Sequence, residues 1–376
     1  MKAVVLRKPF DLALADVATP HPGPDDVLVR VTHSGICGTD LKILTGAMPA
    51  SYPIIMGHET AGDVVSGADG GRIRQGDRVL VDPVLYCGTC FDCRAGRTNL
   101  CPNGGVIGRE VNGGFADYVV APRSHVHSLP ASIDSRTAPL IQVLTTVLHA
   151  QRRANVGRVP RPSARSARAG STVSGVEPST RSGRPEHVEG RSGSAGESQS
   201  VAVLGLGVSG QLHVQLAKAR GAGPVIGVTR SAWKRSMADR LGADLTVSTG
   251  EEAIRAVKGA TEGHGADVVI ESTGMVASIA DAIAMVRPGG TVVLFGIYTA
   301  REGSLPFYQL YYKEPSLISA RAAMAEDFPE SIDMVADGRI TLSPLVTQVM
   351  PVAELARALG MLESDADGRM KIILEH

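Results

Sequence analysis

Aromatic residues make up only 4% of this chain, with a single tryptophan. Stacking platforms for bases need such rings, so their scarcity argues against single-stranded nucleic acid as a partner. Net charge is missing too. The 38 Lys and Arg residues balance 38 Asp and Glu, so no global field draws the chain to a phosphate backbone or an acidic membrane. No apolar run reaches bilayer length, and the opening MKAVVLRKPF alternates like a strand without the apolar core of a signal peptide. An even cysteine count is also lacking: there are five, which fits a reducing compartment better than a disulfide framework. These absences lead to the expectation of a soluble, cytoplasmic protein with neither nucleic acid nor membrane as partner. Its 376 residues favour two domains, each with its own core.

What is present starts with Cys87, Cys90, Cys93 and Cys101, spaced C-x2-C-x2-C-x7-C. Thiolates so spaced in a loop can converge on one soft ion, and a closed shell of four thiolates is the structural form of zinc site. To about Pro130 the chain is short β-branched runs cut by Gly and Pro, including KAVVL, DVLVRVTHSGI, AGDVVSG, DRVLVDPV and FADYVVAP, which predicts a mostly β domain. TAPLIQVLTTVLHAQRRANV then carries apolar residues at helical spacing. Residues 157–200 hold no Leu, Ile, Met, Phe, Tyr, Trp or Cys. Such a stretch buries too little apolar surface to offset its ordering entropy, so a disordered insertion is expected. From Val201 to Gly296 strand and helix patterns alternate, which predicts an α/β domain with a doubly wound parallel sheet. KIILEH at the end reads as a final strand.

GLGVSG places Gly205, Gly207 and Gly210 between the strand VAVL and a helix. In that context the glycines let a turn tighten and the backbone approach a pyrophosphate, held at the helix N-terminus. The next strand ends VIGVTR, with Thr229 where an acid would hold the adenosine ribose and Arg230 beside it. A hydroxyl with nearby cations, Arg230 and Lys234 or Arg235, suits a 2′-phosphate, which a carboxylate would repel. NADP is therefore favoured over NAD, the alternative being that these cations only begin a solvated helix.

Cys37 in GICGTD, His58 and Glu59 in GHE are candidate ligands of a second metal. With GDRV, NGGFADYVV, the four-cysteine lobe and GLGVSG, these motifs cover nearly the whole chain outside the insertion, and in this order it resembles the medium-chain, zinc-dependent alcohol dehydrogenases. The resemblance implies a β-rich, GroES-like catalytic domain from residues 1–150 and 297–376, with the structural lobe at 87–101. A Rossmann domain at 151–296 would hold the insertion 157–200. It also implies two Zn2+ ions per chain, NADP or NAD, a small-molecule alcohol or carbonyl substrate, and a homo-oligomer, dimer or tetramer. Residue by residue, Cys37 and His58 match the catalytic-zinc ligands, Glu59 the acid that can enter the shell, Thr39 the hydroxyl that passes the alcohol proton, and Thr146 a residue beside the nicotinamide. Asp40 is a candidate partner that fixes the tautomer of a ligating histidine.

The chain departs from the family pattern in three places. Gln142 stands where most relatives have an anionic third zinc ligand, so the shell has one charge fewer and its third member stays open among Gln142, Glu59 and water. Lys42 replaces a histidine that ends the proton relay, and a protonated Lys cannot accept that proton. The insertion is the third. The expected function is hydride transfer between a secondary alcohol, polyol or sugar hydroxyl and NAD(P). The competing readings are an enone or quinone reductase on the same scaffold and a non-enzymatic binding protein that keeps the fold.

Overall fold

A computed structural model of the chain describes residues 1–67, 72–157, 198–363 and 367–376. Of the strands expected in the first third, Lys2–Lys8 pairs with Asp11–Asp16 and Ile54–Ile55 in a sheet of three, while the others join two C-terminal strands in a sheet of seven. Its centre is Asp26–Gly35, which pairs antiparallel with Glu59–Ser66, Tyr118–Pro122 and the C-terminal strand Lys371–Glu375. Strand Val346–Pro351 lies parallel to Lys371–Glu375 and borders the sheet. The two ends of the chain therefore share one sheet, whose alternation puts Val27, Val29 and Val31 into one apolar core.

Six parallel strands form the second large sheet, in the order Leu245–Val247, Val225–Val228, Val201–Leu204, Ala266–Glu271, Val286–Leu294 and Ser316–Ser319. The helices Val208–Ala219, Ala232–Arg240, Glu251–Ala260 and Val276–Met285 alternate with the strands in the chain. Strand order reverses between Val201–Leu204 and Ala266–Glu271, the place where open α/β sheets leave a crevice for ligands. The boundary expected at residue 296 needs correction. Ser316–Ser319 pairs with Val286–Leu294 through Thr291 to Ser316 and Leu294 to Ser319, so the parallel sheet runs past it.

Helix Leu140–Arg153 links the two sheets. It is buried on almost every face, packing Leu140, Leu144, Val147 and Leu148 with Leu212, Leu216, Phe328 and Ile332. Truncating one such leucine to alanine is expected to cost about 2–5 kcal/mol. The helix returns a polar side too: Arg152 binds Asp327 and Glu330, and His149 Nδ1 lies 3.2 Å from Asp327.

Most of the expected insertion lies outside the described residues. Its ends do not: the Gly157 N–H donates to Gln199 Oε1 at 3.0 Å, and the N–H and hydroxyl of Ser200 donate to Asp267 at 2.8 and 2.7 Å. Gly157 and Ser198–Ser200 are thus part of the fold, a correction to the boundaries 157–200. Among the described residues no helix is long and apolar enough to cross a membrane.

Candidate active site and cofactor turn

Strand register explains how Cys37 and His58 meet. Gly35 lies opposite Glu59 in the antiparallel pair. Cys37 follows one strand and His58 precedes the other, so both emerge at the same end of the sheet. One ligand atom from each of Cys37, His58 and Glu59 lies within 4.8 Å of the others. Glycine at 35 is required by this approach, since a Cβ there would stand 2.0 Å from Glu59 Oε2.

Helix Gly38–Leu44 begins directly after Cys37. The Cys37 N–H donates to Asp40 Oδ2 at 2.8 Å, while the other oxygen of this buried carboxylate lies 3.5 Å from His58 Nδ1. With Nδ1 turned to Asp40, Nε2 is the nitrogen left for a metal. Burial opposes a charged imidazole at 58, but the Asp40 carboxylate and the Cys37 sulfur outweigh it and raise its pKa well above the usual value. Thr39 sits partly exposed in the first turn of this helix. Lys42, further along, donates from Nζ to the Ile297 carbonyl at 2.6 Å. Ile297 follows Val286–Leu294 at the carboxyl edge of the parallel sheet, so this bond sets the Cys37 helix against the edge where ligands bind. Gln142 is buried in the first turn of Leu140–Arg153, and Thr146 stands one turn later with its hydroxyl donating to the Val143 carbonyl at 2.8 Å.

Sequence reasoning missed Lys371. Its buried ammonium donates to both Glu59 oxygens, at 2.8 and 2.6 Å, and to the Ile36 carbonyl at 3.0 Å. Burial alone would lower its pKa; Glu59 more than reverses this and holds the charge. The signal was a lysine opening an otherwise apolar strand, KIILEH, with no stated partner. Register supplies the partner, because Ile373 pairs with Gly35 and so carries Lys371 past it.

The four-cysteine lobe passes a geometric test. All four sulfurs lie within 4.8 Å of one another, and none is disulfide-bonded. Cys90 and Cys101 are 3.8 Å apart and Cys101 and Cys87 3.5 Å, close to the edge of about 3.8 Å of a tetrahedron with zinc–sulfur bonds of ~2.3 Å. Backbone N–H groups of Cys87 and Cys93 donate to Cys101 and Cys90 sulfurs at 3.4 and 3.5 Å, as suits thiolates. Bonds from the Thr89 and Cys90 N–H groups and the Thr89 hydroxyl bring Cys87 down to about 5, whereas burial and the neighbouring sulfurs push Cys93 up to about 12. Four sulfurs so close share their negative charge poorly without a cation among them. Asn99 anchors the lobe to the body, donating to the Arg321 carbonyl at 2.7 Å.

At the glycine turn, Gly205 ends the first parallel strand and Gly207 caps helix Val208–Ala219. A Cβ on Gly210 would lie 1.9 Å from the Gly205 carbonyl oxygen, while one on Gly207 would meet nothing within 4 Å. Gly210 is therefore needed by the fold, and Gly207 faces open space of the kind a pyrophosphate fills. Thr229 and Arg230 follow Val225–Val228, but Arg235 Nη1 donates to their carbonyls at 2.7 and 2.8 Å. Arg235 is thus committed to the turn. Glu271, also missed, is fully buried at the end of Ala266–Glu271, where it accepts the N–H groups of Thr273 and Gly274 at 2.8 and 3.1 Å and the Tyr298 hydroxyl.

A four-thiol lobe, a Cys–His–Glu cluster and a glycine turn on a parallel sheet define a zinc- and nicotinamide-dependent oxidoreductase. Residues 23–131 match the alcohol dehydrogenase GroES-like domain and residues 209–337 the zinc-binding dehydrogenase family. L-Galactonate-5-dehydrogenase of Escherichia coli K12 is 30% identical, with 95% of this chain and 93% of that protein aligned. D-Arabitol-phosphate dehydrogenase of Enterococcus avium is 28% identical over 100% of this chain and 97% of its own length. A crystal structure from Sinorhizobium meliloti 1021, described as a zinc-binding dehydrogenase bound to NADP, superposes with a TM-score of 0.84 at 30% identity, covering 100% of this chain and 99% of the other. The chain belongs to the medium-chain, zinc-dependent alcohol dehydrogenase family, oxidoreductases that act on CH–OH donors with zinc and NAD or NADP.

Proposed function

We propose that this protein oxidises a secondary hydroxyl of a polyol or sugar derivative with NAD(P), NADP favoured, and catalyses the reverse reduction. The observation that carries this is the Cys37–His58–Glu59 cluster, set by the Lys42–Ile297 bond against the carboxyl edge of the parallel sheet. The activities of the arabitol-phosphate and galactonate relatives support the substrate class. The Thr229–Arg230 pair and the NADP in the Sinorhizobium structure support the cofactor.

Bound zinc would polarise the hydroxyl, and bound nicotinamide would accept the hydride. The chain's own part is positional. Cys37, His58 and Gln142 would hold the metal, Asp40 would fix the His58 tautomer, and Thr39 would take up the proton released by the alcohol. Lys42, an ammonium tied to a carbonyl, holds the helix in place and accepts no proton, so the relay runs from Thr39 to solvent or to the cofactor ribose. Gly205, Gly207 and Gly210 would seat the pyrophosphate, and Thr146 would stand beside the nicotinamide.

Structurally, we divide the chain into a catalytic part, residues 1–150 with the C-terminal stretch that returns after Ser319, and a dinucleotide part between them. Self-association is part of the proposal. The family resemblance supports it, as do an exposed row of aromatics, Phe307, Tyr308, Tyr311 and Tyr312, beside the edge strand Ser316–Ser319. Hydride transfer measured spectroscopically over a panel of polyols, sugar acids and sugar phosphates with NADP and NAD tests the function. Turnover of a polyol-type hydroxyl is expected; reduction of enones without any alcohol oxidation would overturn it.

A further inference from the structure

Ser231 caps helix Ala232–Arg240, its Oγ accepting the Lys234 N–H at 3.2 Å. The same hydroxyl donates to Asp367 Oδ1 at 2.6 Å. Asp367 comes from the exposed stretch just before the C-terminal strand Lys371–Glu375, far from Ser231 in the chain. A carboxylate from the end of the protein is thus seated on the turn Thr229–Arg230–Ser231, which follows the second strand of the dinucleotide sheet.

That turn is where the adenosine ribose of a dinucleotide reaches when its pyrophosphate lies on the Gly205–Gly210 turn. A 2′-phosphate would need the donors that this turn offers, the Ser231 hydroxyl and the start of the helix among them. Asp367 already occupies that hydroxyl and adds a like charge within a few ångströms of an incoming phosphate dianion. Arg235 does not offset this, because its guanidinium is bonded to the Thr229 and Arg230 carbonyls. An unphosphorylated ribose meets no such repulsion, and its 2′-hydroxyl can donate to a carboxylate.

We propose that Asp367 is a cofactor-specificity residue: it supplies from the C-terminal stretch the acid missing at Thr229, competes with a 2′-phosphate at Ser231, and weakens the preference for NADP that Thr229 and Arg230 alone would give. The inference rests on the reading of GLGVSG as a dinucleotide turn.

Titration calorimetry of the zinc-loaded full chain with adenosine 2′,5′-bisphosphate and with 5′-AMP isolates the 2′-phosphate. Asp367→Asn is expected to raise the ratio of bisphosphate to 5′-AMP affinity about tenfold, the equivalent of ~1.4 kcal/mol, and Asp367→Lys to raise it further. Because position 367 is exposed, both variants should fold. A ratio unchanged or lowered in both variants, with both nucleotides still binding, overturns the role of Asp367 and leaves the dinucleotide turn standing. If the wild-type protein binds neither nucleotide, the cofactor reading falls and the proposal with it. Thr229→Asp, which places a carboxylate at the ribose position directly, should lower the ratio and so calibrates the measurement.

Discussion

Asp82 is a buried acid whose environment strengthens its hold on a proton, and its replacement by asparagine should stabilise the protein in a pH-dependent way. The residue is 1% exposed, and its Oδ1 accepts the Val84 N–H at 2.9 Å. Burial raises its pKa from 3.8 to about 7; the Val84 bond opposes this and the charge of Asp327 adds to it. Below about pH 4 the carboxyl is neutral both folded and unfolded, and its titration costs nothing. As pH rises towards 7 the unfolded chain releases the proton while the folded chain keeps it, so stability falls by about 1.4 kcal/mol per pH unit. Above 7 both forms are ionised and the full penalty, roughly 4 kcal/mol, persists. In Asp82→Asn the amide would keep an oxygen for Val84 and carry no charge. With an unfolding entropy of ~2.1 cal/mol/K per residue, a gain of that size in a 376-residue chain corresponds to about 5 °C in melting temperature. Calorimetry of both proteins at one scan rate from pH 4.5 to 8.5 measures the difference, which should be smallest at the acid end, grow towards pH 7 and then level off. Parallel melting curves across that range, or an Asp82→Asn variant less stable than wild type at pH 8, would refute the argument.

Cys90→Ser should reduce zinc from two ions per chain to one by metal analysis, because an open shell of three thiolates binds far more weakly; two ions in the purified variant would contradict the lobe assignment. Removing residues 158–197 should leave a folded dehydrogenase with a melting temperature within a few degrees of wild type, since the Gly157–Gln199 bond already holds the two ends together, and aggregation of the shortened chain would show that the insertion contributes to the fold. Lys371→Met strands the Glu59 carboxylate in a buried site and should cost about 3–5 kcal/mol in denaturant unfolding, most of it recovered by adding Glu59→Gln; an undiminished stability in the single variant would mean that the pair contributes nothing. Gln142→Ala should lower zinc affinity and kcat together, whereas Gln142→Glu should tighten zinc and shift the pH profile, and wild-type metal content and pH dependence in both would remove Gln142 from the shell.

Elements with a strong local period were legible from sequence. VAVL, VIGV and ADVVIE are continuous β-branched runs of the kind buried parallel strands require, and they became three adjacent strands of the parallel sheet. The helix beginning at Leu140 was equally clear, because its apolar residues recur on several faces and only a central helix can bury them all. Ser316–Ser319 was not: four residues without a strong pattern become a strand only because Val286–Leu294 offers a free edge. The two-residue strands Val84–Leu85 and Gly105–Val106, which brace the zinc lobe, likewise exist only as each other's partners. The site divides in the same manner. Cysteine spacing and the glycine turn are local signals, whereas the Glu59–Lys371 and Ser231–Asp367 contacts join residues hundreds of positions apart or from opposite sheets, and only register or tertiary return creates them.

The Lys371 contact bears on the third zinc ligand, which the sequence left open. For Glu59 to enter a metal shell its carboxylate would have to give up at least one of two short charged hydrogen bonds. Lys371, buried and, among the described residues, with the Ile36 carbonyl as its other acceptor, would then hold a poorly compensated charge, and breaking such a buried pair costs about 3–5 kcal/mol. A neutral amide meets no comparable electrostatic penalty on turning towards a cation. On the proposed ligand set, the arrangement that would keep every buried charge paired is Cys37, His58 and Gln142 holding the metal, with Glu59 held back by Lys371. Such a shell would carry a single negative charge, from Cys37, and a zinc ion held by it would be a stronger Lewis acid towards a hydroxyl and less tightly bound. For the same reason Lys371→Met should do more than destabilise: with the ammonium gone, Glu59 would be free to bind, so zinc should be retained more tightly under chelator challenge even as the fold weakens. A variant that loses zinc faster than wild type would show instead that Glu59 never competes for the site.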